Sequence, residues 1–260
     1  MIGECKLCLK KNNLKKSHLL PAAIYKRLRN ENEKNPNPVL ISNKTAVQTS
    51  KQLWANLLCE DCEQRLNKYG EKWVLENCIQ KDGSFPIASI LAARTPNLSS
   101  PNNPTKIYYA CNIPKINISA LTYFAASIFW RGSIYAWKDD GSKTVNLGPL
   151  QEEIRKYLLG LTDFPKNCSL RVYVREGKET DHMTYLLPSD GQKGDIHICK
   201  YAIPGFAFML LISDTININE TQFCIAYGKG NPIFVTTIIE KLLMDEAKEL
   251  LKKHSYAKKG

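Results

Sequence analysis

Cys5-Lys6-Leu7-Cys8, Ser17-His18-Leu19-Leu20-Pro21 and Leu57-Leu58-Cys59-Glu60-Asp61-Cys62-Glu63 follow one another near the start of a 260-residue chain. Each C-x-x-C pair can supply two corners of a tetrahedron, so Cys5, Cys8, Cys59 and Cys62 together meet the ligand count of a closed zinc site. Paired spacing that occurs twice distinguishes them from ordinary buried thiols. Lys10, Lys11, Lys15 and Lys16 crowd the first pair. Their charge favours ionised sulfur and also offers contacts to phosphate.

Composition bounds the rest. A chain that is 43% apolar can build a sizeable core. The formal net charge is +11, with 36 Lys and Arg spread along the sequence. That balance suits a protein that meets a polyanion, and it also suits a plain lysine-rich solvated surface. Nine cysteines is an odd number, and Cys78, Cys111, Cys168, Cys199 and Cys224 show no framework spacing. Zinc and free buried thiols in a reducing compartment are the expectation. The first residues lack the basic and then apolar regions of a signal peptide. The longest apolar stretch, Ser119 to Trp130, is about half a membrane span and runs into Arg131. A soluble, cytoplasmic protein with no membrane partner is therefore expected.

His18 lies at the end of an extended segment that Pro21 stops from continuing as a strand. Ala22 to Arg29 reads as a short helix, and residues 30 to 51 as a polar surface loop with a short strand at Val39 to Ser42. A helix opens at Glu60 and runs to about Leu75, with Glu63, Asn67 and Glu71 on one face. Acidic residues in a first turn favour the helix dipole, so Glu63 has that reading beside any metal-binding one. For His18 the two readings are a functional base and a histidine that caps the zinc fold.

Prolines and asparagines between 82 and 116 read as a poorly structured crossing, interrupted by a short helix at Ile87 to Arg94. It separates a zinc-binding module, 1–81, from an α+β domain, 117–260. Ile118 to Trp137 is apolar on most faces and reads as a buried central helix. Arg131 inside it needs a partner, for which Glu152 and Glu153 are the candidates. A helix follows from Pro149 to about Leu159. Strands are expected at Ser169–Val174, Thr184–Leu187, His197–Ala202, Phe206–Ile212, Gln222–Tyr227 and Ile233–Thr237, joined as an antiparallel meander. A terminal amphipathic helix, Ile239 to Lys253, and a basic tail close the chain. This half carries no glycine-rich phosphate loop and no catalytic triad order. His182 and His197 read as structural.

The order Cys-x-x-Cys, Ser-His-Leu-Leu-Pro, Leu-Leu-Cys-x-x-Cys-Glu resembles the zinc-bearing branch of the HNH (ββα-metal, His-Me finger) endonucleases. More narrowly it resembles a bacterial HNH-like group with SH-x-x-P, LLC-x-x-CE-x-R-L and a downstream WR-x-S, present here as Trp130-Arg131-Gly132-Ser133. The first resemblance covers the opening quarter of the chain, the narrower one extends to about residue 160. It implies an α+β protein whose N-terminal ββα module holds structural zinc on Cys5, Cys8, Cys59 and Cys62. It also implies that His18 is the general base of a metal-dependent nuclease acting on nucleic acid, with DNA the expected substrate. Three positions depart from the pattern. Ser17 stands where the family has a metal-binding Asp, Glu63 where it has His or Asn, and Asn56 is out of the usual register. Glu63 could still hold Mg²⁺ or Mn²⁺, since oxygen ligands suit those ions. Two alternatives stay open: a binding module whose nuclease site has decayed, and an interaction component with purely structural zinc. A homodimer or a regulatory protein partner is compatible with either, and the family's general company points to defence against foreign DNA.

Overall fold

The computed structural model describes residues 1–29, 37–41, 46–137, 141–176, 184–213 and 218–237. The expected terminal helix, the basic tail and His182 lie outside them. Strand β1 (Ile2–Glu4) leads into the first cysteine pair, and β2 (Lys11–His18) returns antiparallel to it. Between them Leu9 takes a φ of 61°, the left-handed conformation that lets the knuckle close so tightly. β3 (Val39–Ile41) and β4 (Ala46–Gln48) follow helix α1 (Ala22–Arg27), and β5 (Trp54–Cys59) then pairs antiparallel with β2. A bulge between Lys15 and Lys16 turns both lysines to solvent, while Leu14 and Ser17 on either side are buried.

β5 runs directly into α2 (Glu60–Leu66), whose first turn carries Glu60, Asp61 and Glu63 where the dipole favours acids. A π-turn at Asn67–Glu71 then leads into α3 (Lys72–Asn77). α4 (Pro86–Ala92) and the hairpin of β6 (Leu98–Ser100) and β7 (Asn103–Tyr109) occupy the proline-rich region. The short helix expected at Ile87 to Arg94 is present as α4, while the hairpin corrects the expectation of a poorly structured crossing around it. Phe85, Ile87, Leu91 and Tyr108 are buried there, and that burial orders it.

α5 (Ile118–Ile134) is the central layer. Asn117 caps it by accepting from the Ala120 N–H at 2.9 Å. One side meets the π-turn and α3, another meets α6 (Leu150–Leu158). Phe124 and Phe129 pack edge-on or tilted against Tyr201 and Phe208 of the large sheet, with Phe129 and Tyr201 centroids 4.9 Å apart.

That sheet adds β8 (Cys168–Arg175), β9 (Thr184–Lys193), β10 (Ile196–Ile203), β11 (Phe206–Ile212) and β12 (Pro232–Thr236). Among the described residues its order is β4-β3-β9-β10-β11-β8-β12-β7-β6. The antiparallel meander holds for β9, β10 and β11, where Pro204-Gly205 turns the chain with Gly205 at φ 83°. Elsewhere the expectation is corrected. β8 returns beside β11, and two pairings, β12 with β8 and β3 with β9, are parallel. Gln222–Tyr227 is also not a strand. After the short helix α7 (Ile218–Thr221) the Phe223 and Cys224 amides bond back to Glu220 and Thr221 in turns, and the Ile225 amide reaches Leu170 O of β8 without extending into a ladder.

The short strand expected at Val39 to Ser42 is present as β3, and together with β4 it extends the edge of the large sheet, which corrects the surface loop expected around it; 30–36 and 42–45 lie outside the described residues. The segment between β2 and β5 therefore ties the N-terminal strands to the second half, and one continuous buried core spans both.

Gly70 fixes the approach of the π-turn to α5. A Cβ there would stand 2.9 Å from the Phe124 backbone nitrogen, and backbone cannot swing aside. Gly70→Ala is expected to destabilise the fold by about 1–3 kcal/mol, read as a lower urea midpoint at unchanged m-value.

Candidate metal centre and the His18 site

The knuckle is built by backbone hydrogen bonds. Cys5 N donates to Lys10 O at 3.0 Å and Leu9 N to Cys5 O at 2.8 Å. Lys6 N donates to Leu57 O at 2.9 Å, which brings the strand carrying the second pair alongside the first. The ligand sulfurs of Cys5, Cys8, Cys59 and Cys62 all lie within 4.8 Å of one another. Cys8 Sγ and Cys59 Sγ are 3.8 Å apart. Zinc–sulfur bonds of about 2.3 Å at tetrahedral angles separate sulfurs by about 3.8 Å, so the spacing fits that ion.

The electrostatics fit as well. Cys5 is pulled down to about 4, chiefly by a hydrogen bond from Cys62. The same bond and burial push the Cys62 thiol far up, and burial raises Cys59. A thiolate that shares its neighbours' protons in a buried cluster is electron-rich sulfur in want of a divalent cation. Arg155 on α6 latches the knuckle from outside, donating to Leu7 O at 2.6 Å.

Ser17 and His18, adjacent on β2, point to opposite sides. Ser17 is fully buried, accepts from Leu58 N at 3.1 Å and donates to the Glu63 carboxylate. His18 is half-buried, opposite Trp54 of β5. Burial lowers its pKa below the ordinary histidine value, Lys16 lowers it further, and a hydrogen bond with Gln52 opposes them in part. Burial raises Glu63 above the usual carboxylate range against the opposing pull of Arg131 and Ser17.

Arg131 joins these pieces. Its side chain, 2% exposed, donates to His18 O at 3.1 Å and to the Glu71 carboxylate on the π-turn. Burial works against its charge, but Glu71 and Glu63 outweigh that and hold its pKa raised. The partner expected from sequence is thereby corrected: Glu152 pairs with Arg155 instead, at 2.6 Å, because it lies on the exposed side of α6. Trp137 Nε1 donates to Arg131 O at 2.6 Å and closes the end of α5.

The sequence-derived residues thus separate into two groups. The four cysteines form one cluster, and among the described residues no other set of three or more His, Cys, Asp or Glu stands ready to hold a metal. His18 and Glu63 share Arg131 and Glu71 as neighbours, while Glu63 itself is bonded to Ser17. Asn67 and Asn56 are exposed. His197 bonds Asn146 O at 2.8 Å and lies 3.5 Å from the Asp190 carboxylate. Sequence reading placed Glu71 on the helix face but missed that the π-turn aims it at Arg131, and it missed Gln52 and Trp54 beside His18. The strand alternation of β5 was the signal that could have shown Trp54. No family model, curated protein or solved structure matches the chain. Among the described residues, no helix is long and apolar enough to cross a membrane.

Purified under reducing conditions, the protein should carry one zinc per chain by elemental analysis. Cys59→Ser should lower that stoichiometry and the thermal midpoint together, because zinc binding and folding of the strand-to-helix junction are linked. Arg131→Met should cost about 3–5 kcal/mol in urea unfolding by leaving the buried carboxylates uncompensated. Adding Glu71→Leu should return part of that loss in a double-mutant cycle.

Proposed function

We propose that the chain is a nuclease of HNH type that hydrolyses nucleic-acid phosphodiesters, DNA being the expected substrate, with His18 as general base. The observation that carries the reading is the placement of His18. It sits at the end of one of two antiparallel strands that precede a helix, and the four-cysteine cluster pins that strand–strand–helix unit. An HNH-like ββα module has those parts in that order. The lowered pKa keeps the imidazole neutral near pH 7, the form that can take a proton from water as it attacks phosphorus. The net charge of +11 supports a polyanionic partner.

In this reading the four cysteines hold structural zinc. Glu63, with Ser17 Oγ beside it, supplies the hard oxygens that suit Mg²⁺ or Mn²⁺. Such an ion would offset negative charge at the phosphate and the leaving oxygen. Glu71 and Arg131 orient the site through His18 O and stay out of contact with substrate, since Arg131 is buried.

A second reading has its own observation. The Glu63 carboxylate is already bonded to Ser17 and faces the Arg131 guanidinium, so a fixed cation stands near the place where the family has a metal-binding Asp. That favours a zinc-built nucleic-acid-binding module that no longer cuts.

Incubation with plasmid and single-stranded DNA in Mg²⁺ or Mn²⁺ separates the two readings. Cutting is expected, and His18→Ala should abolish it with zinc content unchanged. The rate should fall on acidification with a midpoint below the ordinary histidine value. Lys16→Ala should move that midpoint upward, because the Lys16 charge helps depress His18. Salt-dependent binding with no cutting in any metal supports the binding module and removes the nuclease.

A further inference from the structure

β5 carries a second chemical feature beside His18. The β2–β5 register sets Lys16 opposite Asn56 and His18 opposite Trp54. Directly opposed residues on paired strands share a face, so these four side chains stand together on the side away from buried Ala55 and Ser17. Trp54 is 47% exposed, and the Lys16 ammonium lies over its ring, 3.9 Å from the centroid. An indole left that open on a strand is not core packing. The strand is held at both ends, by Cys59 in the sulfur cluster and by Leu19 N donating to Leu53 O at 2.9 Å. The platform is therefore rigid, and a cation rests on its face.

We propose that Trp54 is a stacking platform for one unpaired nucleobase and that Lys16 takes the phosphate beside it. The substrate class is then single-stranded nucleic acid, or the unpaired part of a structured one. Charge complementarity chooses the occupant. Lys16 brings positive charge to the indole, and a nucleotide that takes the ammonium's place over the ring supplies both a flat π-face for the indole and an anion for the displaced ammonium. Within a continuous duplex each base face is already stacked, so only an unpaired base can use the ring. Since Trp54 and His18 are cross-strand partners, a base stacked there brings its flanking phosphodiester to the imidazole. The inference rests on the nucleic-acid reading above and specifies what that site would grip.

The test uses the full zinc-loaded chain and fluorescein-labelled oligothymidine, its duplex with oligoadenine, and an abasic oligomer of equal length. Binding is read by anisotropy with no Mg²⁺ or Mn²⁺ added, and cutting is assayed separately. The single strand should bind about tenfold or more tighter than the duplex. Trp54→Ala should weaken single-strand binding about tenfold or more and leave the abasic oligomer unaffected, while Trp54→Phe keeps most of the affinity. Lys16→Ala should lower the salt slope by about one. Equal binding of the single strand by wild type and Trp54→Ala overturns the proposal, as does abasic oligomer binding as tightly as the base-bearing one. Trp54-dependent binding without cutting upholds the platform and removes the nuclease. Cutting with no Trp54 dependence removes the platform alone.

Discussion

A guanidinium cannot be left in an apolar helix without anions and acceptors around it, and Arg131 draws them from three elements within the first 71 residues. Glu71 from the π-turn, the His18 carbonyl from β2 and the charge of Glu63 from α2 all converge on it. Its Nε finds no partner among the described residues, so this is not an ion pair optimised for stability alone. It fixes geometry. The end of β2, the π-turn and α5 cannot shift independently while each supplies part of one buried charge's surroundings. The π-turn itself follows from the same demand, since an unbroken α-helix would set Glu71 at another angle to α5.

The four-cysteine cluster and Arg131 hold the His18 strand from its two ends by different physics. The gathered sulfurs bring the junction of β5 with α2 against the knuckle that leads into β2. Hydrogen bonding and charge hold the other end, where Arg131 takes the His18 carbonyl. The imidazole is then carried on backbone immobilised on both sides while its ring stays half open. A group that must meet a substrate repeatedly in one geometry needs that combination of rigid support and solvent access.

The four-cysteine cluster was legible because chemistry fixes its spacing: two residues between cysteines suffice to let both thiolates reach one ion, whatever the fold around them. α5 was legible because it is apolar on most faces. β11 was legible from its apolar run between turn signals. The sheet order was not, because parallel pairings such as β12 with β8 depend on where long connections travel, and neighbouring residues do not record that. The partner of Arg131 was missed for a related reason. Glu152 is nearer in sequence, but a helix presents its residues by angle, and α6 turns Glu152 outward toward Arg155.

The Ser17 and Glu63 departures take on a definite meaning in this geometry. An aspartate at position 17 would be a second carboxylate against Glu63, in a buried place that already raises the Glu63 pKa. Two such charges repel unless a divalent ion lies between them. Serine removes one charge and donates to the Glu63 carboxylate, which shares the Arg131 guanidinium with Glu71. On the nuclease reading, a metal at Glu63 would arrive with anionic ligands of its own, as an ion on a substrate phosphate does. Binding of substrate and assembly of the metal site would then be one event, and an unpaired strand gripped at Trp54 would deliver both.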